Sequence, residues 1–229
     1  PAALDKIPAE FRGPDDLWVG TNVHVMVMMV NERQLKGLPA PATWSDLMQP
    51  QWKNKFAITD PSKSGTAYML VYGLYKQFGQ AGLDKIAANA VVTASSGTTY
   101  KGVAAGEYAV GMTLEYAAQE YVAGGQKEIK LVYPSEGSYL APEGMFIIKG
   151  AKNLDAAKAL YDGLLSKASQ EAQLVKNFRR PTRTDVAVAS LTTLPDLSTV
   201  KIFPVSQEAA ATEYEAVVAA WNQAVAQAK

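Results

Sequence analysis

Asp60-Pro61-Ser62-Lys63-Ser64-Gly65-Thr66-Ala67 is the stretch from which the rest of the chain is read. A short apolar run, Phe56-Ala57-Ile58, leads into it, and a helical pattern from Ala67 to Phe78 follows. A Ser/Gly/Thr turn feeding a helix presents hydroxyls and unpaired backbone N–H groups at the positive end of the helix dipole. That is an anion receptor built mostly from backbone. A second turn of the kind, Ala94-Ser95-Ser96-Gly97-Thr98-Thr99, precedes another helical pattern ending near Ala105. Serine and threonine also cap helices for purely structural reasons, so each turn taken alone reads first as an ordinary cap. Neither turn has a catalytic constellation beside it, and together they point to binding rather than turnover.

Composition sets the outer limits. The 229 residues allow one large or two modest domains with ample core. A hydrophobic content of 48% with 19% charged residues is too apolar for disorder. Lys plus Arg equals Asp plus Glu at 22 each, so no net field favours nucleic acid or an anionic membrane, and any anion site must be local. The absence of cysteine excludes disulfides, thiolate metal sites and cysteine nucleophiles; it is compatible with an oxidising compartment. The longest apolar run, Val23 to Val30, is too short to span a bilayer and contains His24. The opening Pro1-Ala2-Ala3-Leu4-Asp5-Lys6 lacks the charged start and apolar core of a signal peptide, which fits a cytosolic chain, a processed form or a fragment.

The pattern along the chain alternates strand and helix. Val23 to Val30 suits a strand buried on both faces. Thr43-Trp44-Ser45-Asp46 resembles a capping box opening a brief helix to Met48. Ala67 to Phe78 is helical as far as Gly79, and Leu83 to Ala90 makes a further helix. Tyr108–Leu114, Ile129–Tyr133 and Met145–Ile148 read as strands. Glu115–Ala123, Leu154–Leu165 (capped by Asn153) and Gln170–Phe178 read as helices, and Glu208 to Gln227 as one long amphipathic helix. Strands alternating with helices give an α/β fold with helices on both sides of the sheet. Passages around Val30-Asn31 and through Pro134-Ser135-Glu136-Gly137-Ser138-Tyr139 read as crossovers. They divide the chain into a lobe of residues 31–136 and a lobe of 1–30 with 137–229, hinged about a ligand cleft between them.

An ordered series of motifs carries a family resemblance over nearly the whole chain. It runs Trp18-Val19-Gly20, an apolar strand ending in Asn31, and Pro41-Ala42-Thr43-Trp44-Ser45-Asp46-Leu47. It continues through Asp60-Pro61, Ser64-Gly65-Thr66-Ala67, Val103-Ala104-Ala105-Gly106-Glu107 and Tyr133-Pro134-Ser135-Glu136-Gly137. Ile148-Lys149-Gly150-Ala151-Lys152-Asn153 and Arg180-Pro181-Thr182-Arg183-Thr184-Asp185-Val186 complete it. The series resembles the type 2 periplasmic substrate-binding proteins of ABC importers, in the iron(III), sugar-phosphate and phosphonate branch. The resemblance implies a two-lobe fold, a periplasmic location, ABC permease subunits as partners, a small anionic solute and no cofactor. Members of that family begin with a βαβαβ portion ahead of the point where this chain starts. At about 30 residues per unit, the resemblance implies that on the order of a hundred residues of the first lobe are not in this sequence. A half-lobe of that kind is expected to expose apolar surface, through which the chain could self-associate.

The resemblance also sharpens the ligand question. Iron-binding members carry adjacent tyrosines after the strand matching Tyr108–Leu114, because hard Fe(III) favours phenolate and carboxylate oxygens. Here the place reads Thr113-Leu114-Glu115-Tyr116-Ala117, with one tyrosine only. The single acidic residue resembles the organophosphate and aminophosphonate binders, in which the helix-start turns take the anion and Glu115 the ligand's other end. A ferric site with a synergistic anion is the first alternative; a ligand-sensing module of a membrane receptor is the second.

The candidate ligand residues are therefore Ser64, Gly65, Thr66, Ser95, Ser96, Gly97, Thr98, Glu115, Tyr116 and Glu143. Each has a plainer reading: caps for the hydroxyls, packing for Tyr116, a solvated turn for Glu143. Arg179, Arg180 and Arg183 could clamp a phosphate, tether the last helices or meet the permease. His24 reads as a core residue, and one histidine builds no zinc site unaided. No nucleophile elbow occurs, and Val103 stands where a phosphate-loop lysine is required after Gly97 to Gly102. The chain is not expected to be an enzyme.

Overall fold

The computed structural model describes residues 3–228. It is mixed α/β, and its residues cluster into two compact units: Pro1–His24 with Ala141–Thr199, and Val25–Leu140 with Val200–Lys229.

The second unit is built on five strands in the order β3-β2-β4-β1-β5. Strand β1 (Val19–Asn31) extends the apolar run the sequence shows, and Met26 to Val30 are essentially inaccessible. Such a run needs cover on both edges. It has antiparallel neighbours on either side, β4 (Val110–Leu114) and β5 (Ile129–Val132), with Met28 facing Met112 and Val132. Strand β2 (Phe56–Thr59) runs parallel to β3 (Ala90–Thr93) and to β4, and parallel neighbours require crossovers. The crossovers are helices α1 (Gly65–Asn89) and α2 (Ser96–Ala105). Both Ser/Gly/Thr turns thus sit at the carboxyl ends of parallel strands, the usual ligand edge of open α/β sheets.

Helix α1 holds both expected helices in one element, broken at Gly79 (φ 65°, ψ −167°), a conformation that suits glycine alone. Helix α2 ends on Gly106 in the left-handed region, which closes its last turn. The capping box at Thr43 to Asp46 forms: Asp46 Oδ2 accepts from Thr43 N at 2.9 Å, and Thr43 Oγ1 accepts from Asp46 N at 3.0 Å. Helix α3 (Glu115–Ala123) follows β4 directly.

The segment Pro134 to Tyr139 docks on the second unit. Trp44 Nε1 donates to Gly137 O at 2.9 Å, Trp44 stacks on Tyr139 at 5.6 Å, and Tyr139 hydroxyl donates to Gln77 Oε1 at 2.6 Å. These contacts put the unit boundary at Leu140, where the sequence reading puts the crossover at Pro134 to Tyr139. The tail likewise belongs with the second unit. Helices α7 (Gln207–Thr212) and α8 (Tyr214–Gln227), numbered after α4 to α6 below, lie against α1, with Tyr68 hydroxyl bonded to Ala210 O and Gln80 to Ala220 O. The expected single tail helix is interrupted at Glu213, whose ψ is 5°.

In the first unit, β7 (Arg180–Pro181) pairs antiparallel with the start of β1, Asn22 opposite Pro181 and Val23 opposite Arg180. Helices α4 (Leu154–Leu165), α5 (Lys167–Asn177) and α6 (Val188–Leu191) complete the unit. Two local expectations are corrected. The strand expected at Met145–Ile148 is β6, at Leu140–Met145, and Phe146 and Ile148 beyond it are exposed. Asn153 occupies the α4 N-cap but its side chain makes no capping bond. The unit leaves Leu17, Leu154 and Leu160 exposed as well.

Candidate functional site

Three parallel strand ends bring threonines to one corner of the second unit. Thr59 and Thr93 close β2 and β3 and are register partners, while Thr113 stands next to last in β4. Beyond the first two lie the capped helix starts. Ser64 Oγ accepts from Ala67 N at 3.3 Å, and Ser95 Oγ accepts from Thr98 N at 3.1 Å. The starts meet: Ser64 Oγ is 3.2 Å from Ser96 Oγ and 3.0 Å from Thr66 Oγ1. Thr98 Oγ1 lies 2.9 Å from Ser95 Oγ. Caps satisfy only part of each helix start; the N–H groups of Gly65, Thr66, Ser96 and Gly97 find no acceptor among the described residues. Both dipoles present their positive ends there.

Between the two starts is a depression of about 10 Å³, lined by Thr59, Thr66, Ser96 and Thr113 above an apolar floor that includes Met26 and Met112. About one oxygen-sized group fits such a space. Thr113 is 4% exposed, and its hydroxyl is buried without a hydrogen-bond partner among the described residues. A buried hydroxyl left unpaired costs about 1–3 kcal/mol, which is tolerated where a ligand completes it.

Of the ten predicted residues, Ser64, Gly65, Thr66, Ser95, Ser96, Gly97 and Thr98 are brought together in these two helix starts. Glu115 follows two residues after Thr113 at the start of α3; it is 2% exposed, and Tyr133 hydroxyl donates to its Oε1 at 2.5 Å. Tyr116 is half-buried beside it.

Glu143 belongs to the first unit and to a charged cluster there. Its Oε2 accepts from Asn22 Nδ2 and from Arg179 NH1, each at 2.7 Å, and lies 3.5 Å from His24 Nε2. The hydrogen bond from His24, then that from Asn22 and the charge of Arg179, outweigh partial burial and hold the carboxyl down to about 2. Geometry gives Arg179 the larger share, because it is far closer than the ring. Arg179 NH1 is also 3.2 Å from His24 Nε2. His24 is 7% exposed, as a core position would be, yet it serves this cluster as well. Asn22 spends its amide on Glu143, and its Oδ1 has no partner among the described residues. Arg183 pairs bidentately with Asp185, which raises the one and lowers the other.

Sequence reasoning missed the three threonines Thr59, Thr93 and Thr113. Threonine in a strand reads as an ordinary β-branched residue. The available signal was position: Thr59 and Thr93 each close a strand just before a Ser/Gly/Thr turn.

Among the described residues no cluster of three or more His, Cys, Asp or Glu side chains could hold a metal ion, and no helix is long and apolar enough to cross a membrane.

Comparisons with known proteins follow the same lines. Residues 1–204 match the family described as bacterial extracellular solute-binding protein. A periplasmic protein of Salmonella typhimurium named for binding 2-aminoethylphosphonate is 31% identical over 208 residues, 81% of this chain and 60% of that protein. The Fe(3+)-binding periplasmic protein of Serratia marcescens is 25% identical over 189 residues, 77% of this chain and 54% of that protein. The chain therefore spans less than two thirds of the length of these two curated relatives. Among solved structures, the periplasmic binding protein AfuA of Actinobacillus pleuropneumoniae, with exogenous fructose-6-phosphate bound, superposes with a TM-score of 0.86 at 28% identity. That match covers 97% of this chain and 74% of AfuA. With the type 2 periplasmic-binding-protein fold and the family match in agreement, the chain belongs to the bacterial extracellular solute-binding proteins, a periplasmic binding protein and not an enzyme.

Proposed function

We propose that this chain is the solute-binding component of an ABC importer and takes a small phosphorylated or phosphonate-bearing anion at the meeting point of α1 and α2. The observation that carries the reading is the convergence of two helix starts, Ser64 Oγ to Ser96 Oγ at 3.2 Å, with four N–H groups open beside them. A tetrahedral oxyanion needs several donors from different directions, and this corner supplies them without a charged side chain. Names of similar proteins support the class, since one refers to an aminoalkylphosphonate and one structure holds a sugar phosphate. Glu115, two residues beyond Thr113, is the natural partner for an amine or hydroxyl at the ligand's other end. The proposed site is drawn within the second unit; Glu143 belongs to the first, where Arg179 and Asn22 engage its carboxylate.

The ferric reading has a named relative behind it but less in the residues. Tyr116 is followed by Ala117, so no pair of adjacent tyrosines stands there. Calorimetry of the chain with 2-aminoethylphosphonate and with ferric citrate separates the two. The reading expects heat of binding from the phosphonate, lost in Thr66→Val, and no visible tyrosinate-to-iron band. A ferric band, or a phosphonate affinity unaffected by Thr66→Val, contradicts it.

A further inference from the structure

The threonine corner carries a direction as well as a position. Thr93 Oγ1 is 3.2 Å from Ser95 O and 3.5 Å from Ile58 O, and carbonyls only accept, so placing the Thr93 proton on the backbone gives these two contacts their donor. Thr93 and Thr99 hydroxyls are 2.6 Å apart, a pair in which either can donate; with the Thr93 proton on the backbone, Thr99 is the donor. Thr59 and Thr99 hydroxyls are 2.8 Å apart. In that arrangement Thr59, which also lies 3.3 Å from Thr93 Oγ1, donates to Thr99. The relay Thr59→Thr99→Thr93→backbone is therefore polarised away from the depression. Thr59 can offer a ligand only lone pairs. Across the same small space, Thr113 still holds an uncommitted proton.

Beside the Thr66 and Ser96 hydroxyls, the depression thus sets one fixed acceptor, Thr59, and one free donor, Thr113, a pair that suits an oxygen that is itself both donor and acceptor. A bare oxyanion oxygen would meet the Thr59 lone pairs and be repelled. On the oxyanion reading above, we infer that the depression selects the protonated oxygen of a singly ionised phosphate monoester or phosphonate, the P–OH donating to Thr59 Oγ1 and accepting from Thr113 Oγ1. No titratable side chain lines the depression. The nearest along the chain are Asp60, whose carboxylate accepts from Ser62 N and Oγ at 2.8 Å, and Glu115, bonded by Tyr133. The ligand's own second ionisation then sets the pH dependence.

The test is calorimetry of the 229-residue chain with methyl phosphate and methyl sulfate, which share a shape but differ in that proton. Above the second ionisation, near pH 6 for phosphate monoesters, the methyl phosphate Kd should weaken about tenfold per pH unit, as the bound form is depleted. Methyl sulfate should bind at least about a hundredfold more weakly at pH 5.5, the loss expected when a buried polar group goes unpaired. Thr59→Val leaves Thr99 still donating to Thr93, so it removes the acceptor without orphaning a donor. It should flatten the pH dependence and bring the two esters close together, and Thr59→Ser should restore both behaviours. Methyl phosphate binding that is flat from pH 5 to 8, or methyl sulfate binding as tightly, overturns the protonation inference while leaving the oxyanion reading intact. Failure of both esters and of 2-aminoethylphosphonate to bind removes the two together.

Discussion

The two polar clusters of this chain are built on opposite plans. In the first unit, Glu143, Arg179, Asn22 and His24 bring charges together and spend them on one another, the Glu143 carboxylate meeting Arg179 and Asn22 at 2.7 Å. In the second unit, the two helix starts and Thr113 carry no charge, yet the Thr113 hydroxyl and the N–H groups of Gly65, Thr66, Ser96 and Gly97 have no partner among the described residues. Charge density alone would nominate the first cluster as an anion site. The accounting of unmet hydrogen bonds nominates the second, because a ligand adds free energy where the protein has left donors open, most of all the buried Thr113 hydroxyl. A charged cluster that already neutralises itself works as a clasp, not a receptor.

The contrast can be broken from either side. The largest effect is expected from Thr66→Val with Thr113→Val. At about 1.5–3 kcal/mol for each hydrogen bond to a charged group, the pair should weaken phosphonate binding about a hundredfold or more by calorimetry. Thr113→Val alone should cost about tenfold in Kd while leaving the thermal midpoint unchanged or higher, because it removes an unsatisfied buried hydroxyl at nearly constant volume. A drop in stability there would mean that the hydroxyl has a structural partner. Arg179→Ala should do the reverse, lowering stability by about 1 kcal/mol in urea, as for a partly exposed ion pair, with phosphonate affinity unmoved.

The smallest effect is a pH dependence. With the Glu143 carboxyl held down to about 2, its contribution is fully present above the ordinary carboxylate value of 4.5 and is lost as pH falls toward 2. The stability gap between the chain and Glu143→Gln should therefore be open at pH 6 and closed near pH 2. The gap should be modest, since Glu143 is 49% exposed and screened. A gap independent of pH would show that the carboxylate charge contributes nothing.

Much of this was legible in the residues. The turns at 60–67 and 94–99, the break at Gly79, the capping box at Thr43 to Asp46 and the bounds of α3 and α4 follow from local chemistry that a single sequence displays. The apolar run Met145–Ile148 misled because Phe146 and Ile148 are apolar yet exposed, so their period carries no information about a sheet. Tertiary pairs were illegible for a different reason. Glu143 and Arg179 are 36 positions apart, and nothing local fixes their approach. The Thr59–Thr93 contact exists only because β2 and β3 pair in parallel register, a fact of topology that no spacing along the chain encodes. The donor direction of the relay needs all of those distances together.

The central claim is that an oxyanion is held by uncharged helix starts, and backbone amide NMR tests it most directly. On titration with 2-aminoethylphosphonate, the amides of Gly65, Thr66, Ser96 and Gly97 should shift the most, with Thr113 close behind and residues 20–24, 143 and 179 still. Shifts gathered on Asn22, His24, Glu143 and Arg179, with the two helix starts silent, would contradict it.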